Sequence, residues 1–311
     1  MNNFKKIGLI VDEGADLTSQ IIEKYQISIV PLKVIWPSEI ENLSGETIFH
    51  KMREADKRGL NLFCQTSQPS PKDFLDIFKK ELEKYQKIIC ITITSKLSGT
   101  YNSAIQAKNF LTPEDQKRIF VVDSLNACCG MGLFVLRAID LIGTGREIEE
   151  IVKDLEDFTS KIQLRAIIED PKWLEHSGRM SKTIASWIRK MAKIGVRPLI
   201  GVKEGMVKAV GIKTGVKNIS EALFQELVVK TKKAIKEGKK IRVAIIHCLN
   251  EEGAQKLKEM IEELCSSPAS AKASAIEKEL PDIEIAFVNL IDKVVGSIVG
   301  PGVVGLAWYE I

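Results

Sequence analysis

The chain has 311 residues, a length that suits two domains or one large one with ample core. Hydrophobic residues make up 45% and charged residues 28%, and 45 basic against 41 acidic residues leave a net charge of only +4. So weak a field, with aromatic residues at 6% and no basic stretch interleaved with them, gives no footprint for nucleic acid. The segment 1–6 lacks the apolar stretch of a signal peptide, and no apolar run reaches the ~18 residues that cross a membrane. A cytoplasmic protein is expected. Its six cysteines include no CxxC pair, and adjacent Cys128 and Cys129 suit neither a joint metal site nor an ordinary disulfide. Reduced, mostly buried thiols are expected, with Cys64, Cys90 and Cys248 in or beside apolar strands.

Ile7 to Asp12 is an apolar run ending in Asp12-Glu13-Gly14, an inner strand and a turn, with Asp16 placed to cap a helix over 17–25. A second strand over 29–35 closes at Trp36-Pro37, and Ser44, Thr47 and His50 open a polar helix toward Lys57. Next comes a hydroxyl-rich cluster, Gln65-Thr66-Ser67-Gln68-Pro69-Ser70-Pro71. Ser70-Pro71 reads as a cap with proline at the first helical position, opening a helix over 72–84. Thr66 and Ser67 then fall in the loop before it.

The next stretch, 88–110, organises the chain. Ile88-Ile89-Cys90-Ile91 runs into Thr92-Ile93-Thr94 as a strand buried on both faces. Ser95-Lys96-Leu97-Ser98-Gly99 breaks it, and from Thr100 onward Tyr101 with Ile105, and Ala104 with Lys108, repeat at helical spacing. Ser98 is the expected N-cap. The carboxyl end of an inner strand feeding a helix N-terminus is where open α/β sheets bind ligands. Free N–H groups and the helix dipole there favour a small anionic group.

A strand over 118–123 follows, ending in Asp123-Ser124 as the first strand ends in Asp12. An apolar helix over 127–142 is stopped by Gly143 and Gly145, and 147–161 is amphipathic. Strands alternating with helices at this spacing predict βαβ units and a mostly parallel sheet. After residue 161 the texture changes. Strands are predicted over 164–168, 197–202, 206–213, 241–247, 283–288 and 305–309, with a hairpin at Glu204-Gly205 and helices over 183–193 and 218–237. The fold class is thus α/β with two domains: a parallel-sheet domain over 1–162, and an α+β domain with a mixed or antiparallel sheet over 163–311. The small, polar stretch 266–280 reads as a mobile surface insertion.

Several motifs fall in a recognisable order: VDEGADL at 11–17, VPLKV at 30–34, TSQPSP at 66–71, SKLSGTYNSA at 95–104, LEHSGRMSK at 174–182 and VGPGVVGLAWYE at 299–310. Together they resemble the DegV family of bacterial lipid-binding proteins, across nearly the whole chain. The resemblance implies a bound long-chain fatty acid lying between two domains, its acyl chain in an apolar tunnel closed by the second domain. Thr66, Ser67 and Ser98 would hold the carboxylate, with Gly99 permitting close approach of the backbone. Arg179 is the candidate cation near the tunnel mouth, in a segment where Ser177 stands for a usual glycine. His176 reads as a solvated loop residue.

The resemblance also implies a fatty acid kinase as partner, but two positions depart from the family pattern. A histidine usually precedes the C-terminal glycine run, where this chain has Ile298, and Thr214 stands for the arginine of R-x-x-K. Both positions are associated with phosphorylation, so kinase partnership is weakened here. A lipid carrier also implies transient contact with a membrane surface.

Against these expectations stand the motifs that are missing. Gly300 to Gly305 satisfies GxGxxG on paper but lies too near the end of the sequence to open a βαβ unit with an acidic ribose partner. There is no GxSxG, HExxH or Walker motif, and no His/Asp/Glu set with metal spacing, so no metal and no cofactor are expected. The alternative function is a serine-dependent hydrolase of an acyl ester or acyl phosphate. It would use Ser98, with His247 as the only plausible base.

Overall fold

The computed structural model describes residues 6–266 and 281–311. Apart from Ser266, the insertion predicted at 266–280 lies outside the described residues. By contact the chain groups into two units. One comprises the described residues up to Ile35 with Cys64–Ile162 and Val202–Met206, and the other Trp36–Phe63, Gln163–Gly201 and the described residues from Val207 onward.

The first unit is built on a parallel sheet in the order β2-β1-β5-β6. Here β1 is Ile7–Asp12, β2 Ser28–Val30, β5 Lys87–Thr92 and β6 Ile119–Asp123. Every residue of β1 is buried, as a two-sided apolar run requires. On one face Ile10, Ile88 and Cys90 pack with Phe74 and Phe78 of α3 (Pro71–Leu82) and with Ala104 and Ala107 of α4 (Thr100–Asn109). Helix α3 starts as its sequence predicts: Ser70 Oγ accepts from Asp73 N, Asp73 accepts from Ser70 N, and Pro71 fills the first helical position. The apolar α6 (Cys128–Gly143) and the amphipathic α7 (Ile148–Phe158) complete the unit, with α1 (Ser19–Tyr25) and the short α5 (Pro113–Gln116).

Two local expectations are corrected. Residues 29–35 do not form one strand. Pro31 has no N–H, and Leu32 donates instead to Glu13 Oε2 at 3.1 Å, so the chain leaves the parallel sheet after β2. It resumes as β3 (Lys33–Ile35), which pairs antiparallel with β4 (Gln65–Ser67). Asp16 does not cap α1; it sits at φ 52° closing a 3-10 turn, and Thr18 is the cap.

The second unit carries a mixed sheet in the order β11-β10-β12-β7-β8-β9. Its strands are β7 (Gln163–Ile167), β8 (Arg197–Lys203), β9 (Met206–Lys213), β10 (Ile241–His247), β11 (Ile283–Leu290) and β12 (Val304–Glu310). β10 and β11 pair in parallel, while β10 with β12, β12 with β7 and β7 with β8 run antiparallel. Against it lie α10 (Ile219–Lys236) and α11 (Glu251–Ser266), burying Leu223, Leu227, Leu257 and Ile261 on Val243, Ile245 and Leu306. The mixed α/β fold with one parallel and one mixed sheet matches the predicted class. The unit also holds α2 (Ile48–Lys57), α8 (Lys172–His176), α9 (Lys182–Lys193) and α12 (Lys293–Val299). Among the described residues no helix is long and apolar enough to cross a membrane.

Candidate functional site

Of the residues predicted for a site in the first unit, Ser98 and Gly99 lie in the turn that follows the carboxyl end of β5. Two buried or half-buried carboxylates hold the turn that follows. Asp12, ending β1, accepts from Ile93 N at 2.6 Å and Gly14 N at 3.0 Å; Asp123, ending β6, accepts from Ser95 N at 3.2 Å and Leu125 N at 2.9 Å. Charge-assisted bonds of this kind are the stronger ones, so the backbone of 93–95 is clamped from both neighbouring strands. Thr94, fully buried, finishes the clamp: its N–H donates to Asn126 O at 2.9 Å and its Oγ1 to Gly205 O at 3.0 Å. Leu97 N and Ser98 N then close on Thr94 O, delivering the chain into α4.

Ser98 is not the cap of that helix. Gly99 occupies the N-cap and supplies no side-chain bond, so the first turn of α4 has no side-chain cap. Ser98 Oγ, half-buried, instead shares a 2.8 Å hydrogen bond with Thr100 Oγ1. The expected room above Gly99 is occupied. A methyl group there would lie 2.5 Å from Cδ and Nε2 of Gln68 and nearer still to its Oε1, so the Gln68 amide rests broadside on this Cα. Gln68 Nε2 also donates to Ser103 Oγ at 3.4 Å. The two hydroxyl-rich motifs, some thirty residues apart in sequence, are thereby brought together through Gln68, which sequence reasoning passed over.

Thr66 and Ser67 lie in β4 rather than in a loop, because 65–67 finds a strand partner in β3. Gln65 and Ser67 are exposed and Thr66 is half-buried, the alternation of a strand with one covered side. Thr66 Oγ1 is buried and has no hydrogen-bond partner among the described residues, and the same is true of Thr92 Oγ1 at the end of β5. A hydroxyl left this way costs about 1–3 kcal/mol. Near the turn, burial and then the charges of Asp123 and Glu156 push the Tyr101 phenol up, keeping it neutral, and Lys96, the one cation of 92–104, is exposed.

The other predicted residues belong to the second unit. Arg179 follows α8 in the turn to α9, where its Nη1 donates to Ser177 O at 3.1 Å. Ser177 stands at φ −68°, which any residue adopts, whereas Gly178 stands at φ +75°. Serine therefore replaces the usual first glycine of that motif without backbone strain, while the second glycine meets a conformational demand. His176 is exposed, as expected, but it closes α8 rather than lying in a loop, and it stacks on Phe63, with centroids 3.9 Å apart and planes at 14°. His247 ends β10, its Nδ1 buried without a partner among the described residues, and burial pushes its pKa down against the pull of Glu251. The Gly300 turn packs on Trp173. Ile298 is half-buried in α12, and Thr214 is exposed between β9 and α10.

Comparison with known families matches residues 6–310 to the one described as "Uncharacterised protein, DegV family". The chain belongs to the DegV family. A relative named fatty acid-binding protein, from Thermotoga maritima, is 30% identical over 309 residues, covering 96% of each chain. Among solved structures, a DegV family protein from Thermus thermophilus, described by its fatty acid binding, has a TM-score of 0.76 at 29% identity, covering 98% of this chain and 100% of that one. DegV from Bacillus subtilis, described as a fatty acid binding protein, has a TM-score of 0.72 at 25% identity, with coverage of 99% and 100%.

Proposed function

We propose that this DegV-family protein is a carrier of a long-chain fatty acid, holding the carboxylate at the turn between β5 and α4. The observation that carries the reading is the buried Thr66 Oγ1 without a partner, on the segment that Gln68 ties to an α4 N-terminus lacking a side-chain cap. A carboxylate oxygen would satisfy that hydroxyl, with Ser98 and the first-turn N–H groups as further donors. Ser67, exposed on the other side of β4, contributes least in this arrangement. The role of Arg179 as a ligand cation rests on the motif it belongs to. Each buried methylene contributes about 0.8 kcal/mol, so an apolar tunnel for a long acyl chain supplies on the order of 10 kcal/mol, and the head group supplies orientation.

A carrier is favoured over a serine hydrolase by the surroundings of Ser98. Its hydrogen bond goes to Thr100, a hydroxyl with no basicity, and the turn contains no histidine. Transient contact with an anionic membrane surface is supported by α9. Arg179, Lys182, Arg189, Lys190, Lys193 and Arg197 follow one another with no acidic residue between them, and Ile194 is 69% exposed. Phosphorylation of the ligand by a kinase partner is proposed to be inefficient, since Ile298 and Thr214 bring no charge to the developing acyl phosphate.

The test is to denature the purified protein, extract it, and identify the released lipid by mass spectrometry. A stoichiometric long-chain acid is expected. An empty extract together with hydrolysis of a chromogenic ester, lost in Ser98→Ala, would reverse the assignment.

A further inference from the structure

Gln68 reaches from the TSQPSP segment onto the SGT turn. Its amide lies flat over the Gly99 Cα, braced by Ser103 Oγ at 3.4 Å. Its Oε1 and its other N–H make no hydrogen bond among the described residues. Gln68 follows directly on β4, which ends at Ser67, and is itself exposed. The Thr66 hydroxyl is buried without a partner among the described residues, and Gly99 provides no side-chain cap at the start of α4.

We propose that Gln68 is a head-group selectivity residue: its neutral amide, laid across Gly99 at the unfilled cap position of α4, turns an N–H toward the ligand carboxylate and so admits an anion. The inference rests on the fatty-acid reading above and deepens it. Two consequences follow from the chemistry. A glutamate is the same shape as glutamine but carries a negative charge, so it would face the ligand carboxylate directly. Two carboxyl groups in contact share a proton, and one of the two pKa values rises strongly. The penalty must then shrink as pH falls. A side chain that served only to pack against Gly99 would show neither the charge preference nor the pH dependence.

The experiment compares delipidated wild type, Gln68→Glu and Gln68→Leu, each checked for an unchanged thermal transition, against hexadecanoic acid and its uncharged counterpart hexadecanol. In Gln68→Glu the Kd for the acid should rise roughly 10- to 100-fold at about pH 8 and recover most of that at about pH 5, where the pair holds a proton. The Kd for the alcohol should stay within about twofold at both pH values, because no charge is opposed. Gln68→Leu, which removes the donor without adding charge, should weaken the acid several-fold and independently of pH. Equal affinity of wild type and Gln68→Glu for the acid at about pH 8 would overturn the proposal, as would equal losses for acid and alcohol. If wild type itself bound neither ligand, the carrier reading would fall first and this inference with it.

Discussion

Replacing Thr66 by valine should make the ligand-free protein more stable and the fatty acid complex weaker. The two side chains have nearly the same shape, so the change removes one hydroxyl and little else. That hydroxyl is buried and has no hydrogen-bond partner among the described residues. Relieving such a group returns about 1–3 kcal/mol. Thr66 as a residue is only half-buried, which points to the lower end, about 1 kcal/mol. In the complex the same hydroxyl donates to a carboxylate, and hydrogen bonds to charged groups contribute about 1.5–3 kcal/mol. Affinity should therefore fall about 12- to 150-fold. Valine's strand preference acts in the stabilising direction too, so Thr66→Ser is the control: it keeps the donor and should bind within a few-fold of wild type. Stability is measured by urea unfolding after delipidation. Trp36, Trp173, Trp187 and Trp308 all lie in the second unit, so the first is followed by far-UV circular dichroism or by amide exchange in β5. A ligand-free Thr66→Val less stable than wild type, or one with unchanged affinity, would refute the reasoning.

Asp12→Asn should destabilise the first unit by about 2–3 kcal/mol, since the carboxylate that holds Ile93 N and Gly14 N becomes a neutral amide in a fully buried position; chemical denaturation reads this directly. In the second unit Glu226 is buried with Lys213 at 2.8 Å and Arg165 at 3.3 Å. Burial alone would raise its pKa, but the Lys213 hydrogen bond and the two positive charges outweigh it and hold it below the ordinary 4.5. A depressed carboxylate contributes stability that is present above the ordinary value and lost as pH falls through the folded one. Acid unfolding followed by tryptophan fluorescence should show that loss below about pH 4.5, and Glu226→Gln should remove that part of the slope while lowering stability at neutral pH. Reversing charge at exposed Lys190 and Lys193 together should weaken sedimentation with phosphatidylglycerol vesicles, at about 1 kcal/mol per lysine, and the wild-type binding should fade with added salt. With a fatty acid kinase and ATP, Ile298→His with Thr214→Arg should raise the acyl phosphate yield by about 10²-fold or more, and equal yields would show that neither position limits transfer.

The elements that the sequence made legible are those whose signal is local. Two-sided apolar runs announced β1 and β5, Ser70-Pro71 announced α3, and the motifs from Thr66 to the C-terminal glycine run marked the family. Asp12 and Asp123 were visible as residues ending strands, and their role as clamps on residues 93–95 is what such positions do when a third strand lies between them. Other features depend on partners far away in the chain. The break of 29–35 into β2 and β3 follows from two different pairings, one parallel with β1 and one antiparallel with β4, and no periodicity inside seven residues encodes a change of partner. The same pairing turns Thr66 and Ser67 from loop into strand. Residues Trp36–Phe63 join the second unit through Arg53 with Glu169, Lys172 with Asp56 and Trp36 with Trp173, all more than a hundred residues apart. Gln68 reads in sequence as an ordinary turn residue, because hydrogen-bonding potential alone does not say what it will meet. Its place over Gly99 is set by where β3 anchors β4 and where the Asp12–Asp123 clamp delivers α4, two positions that only the packed sheet brings within a side chain's length.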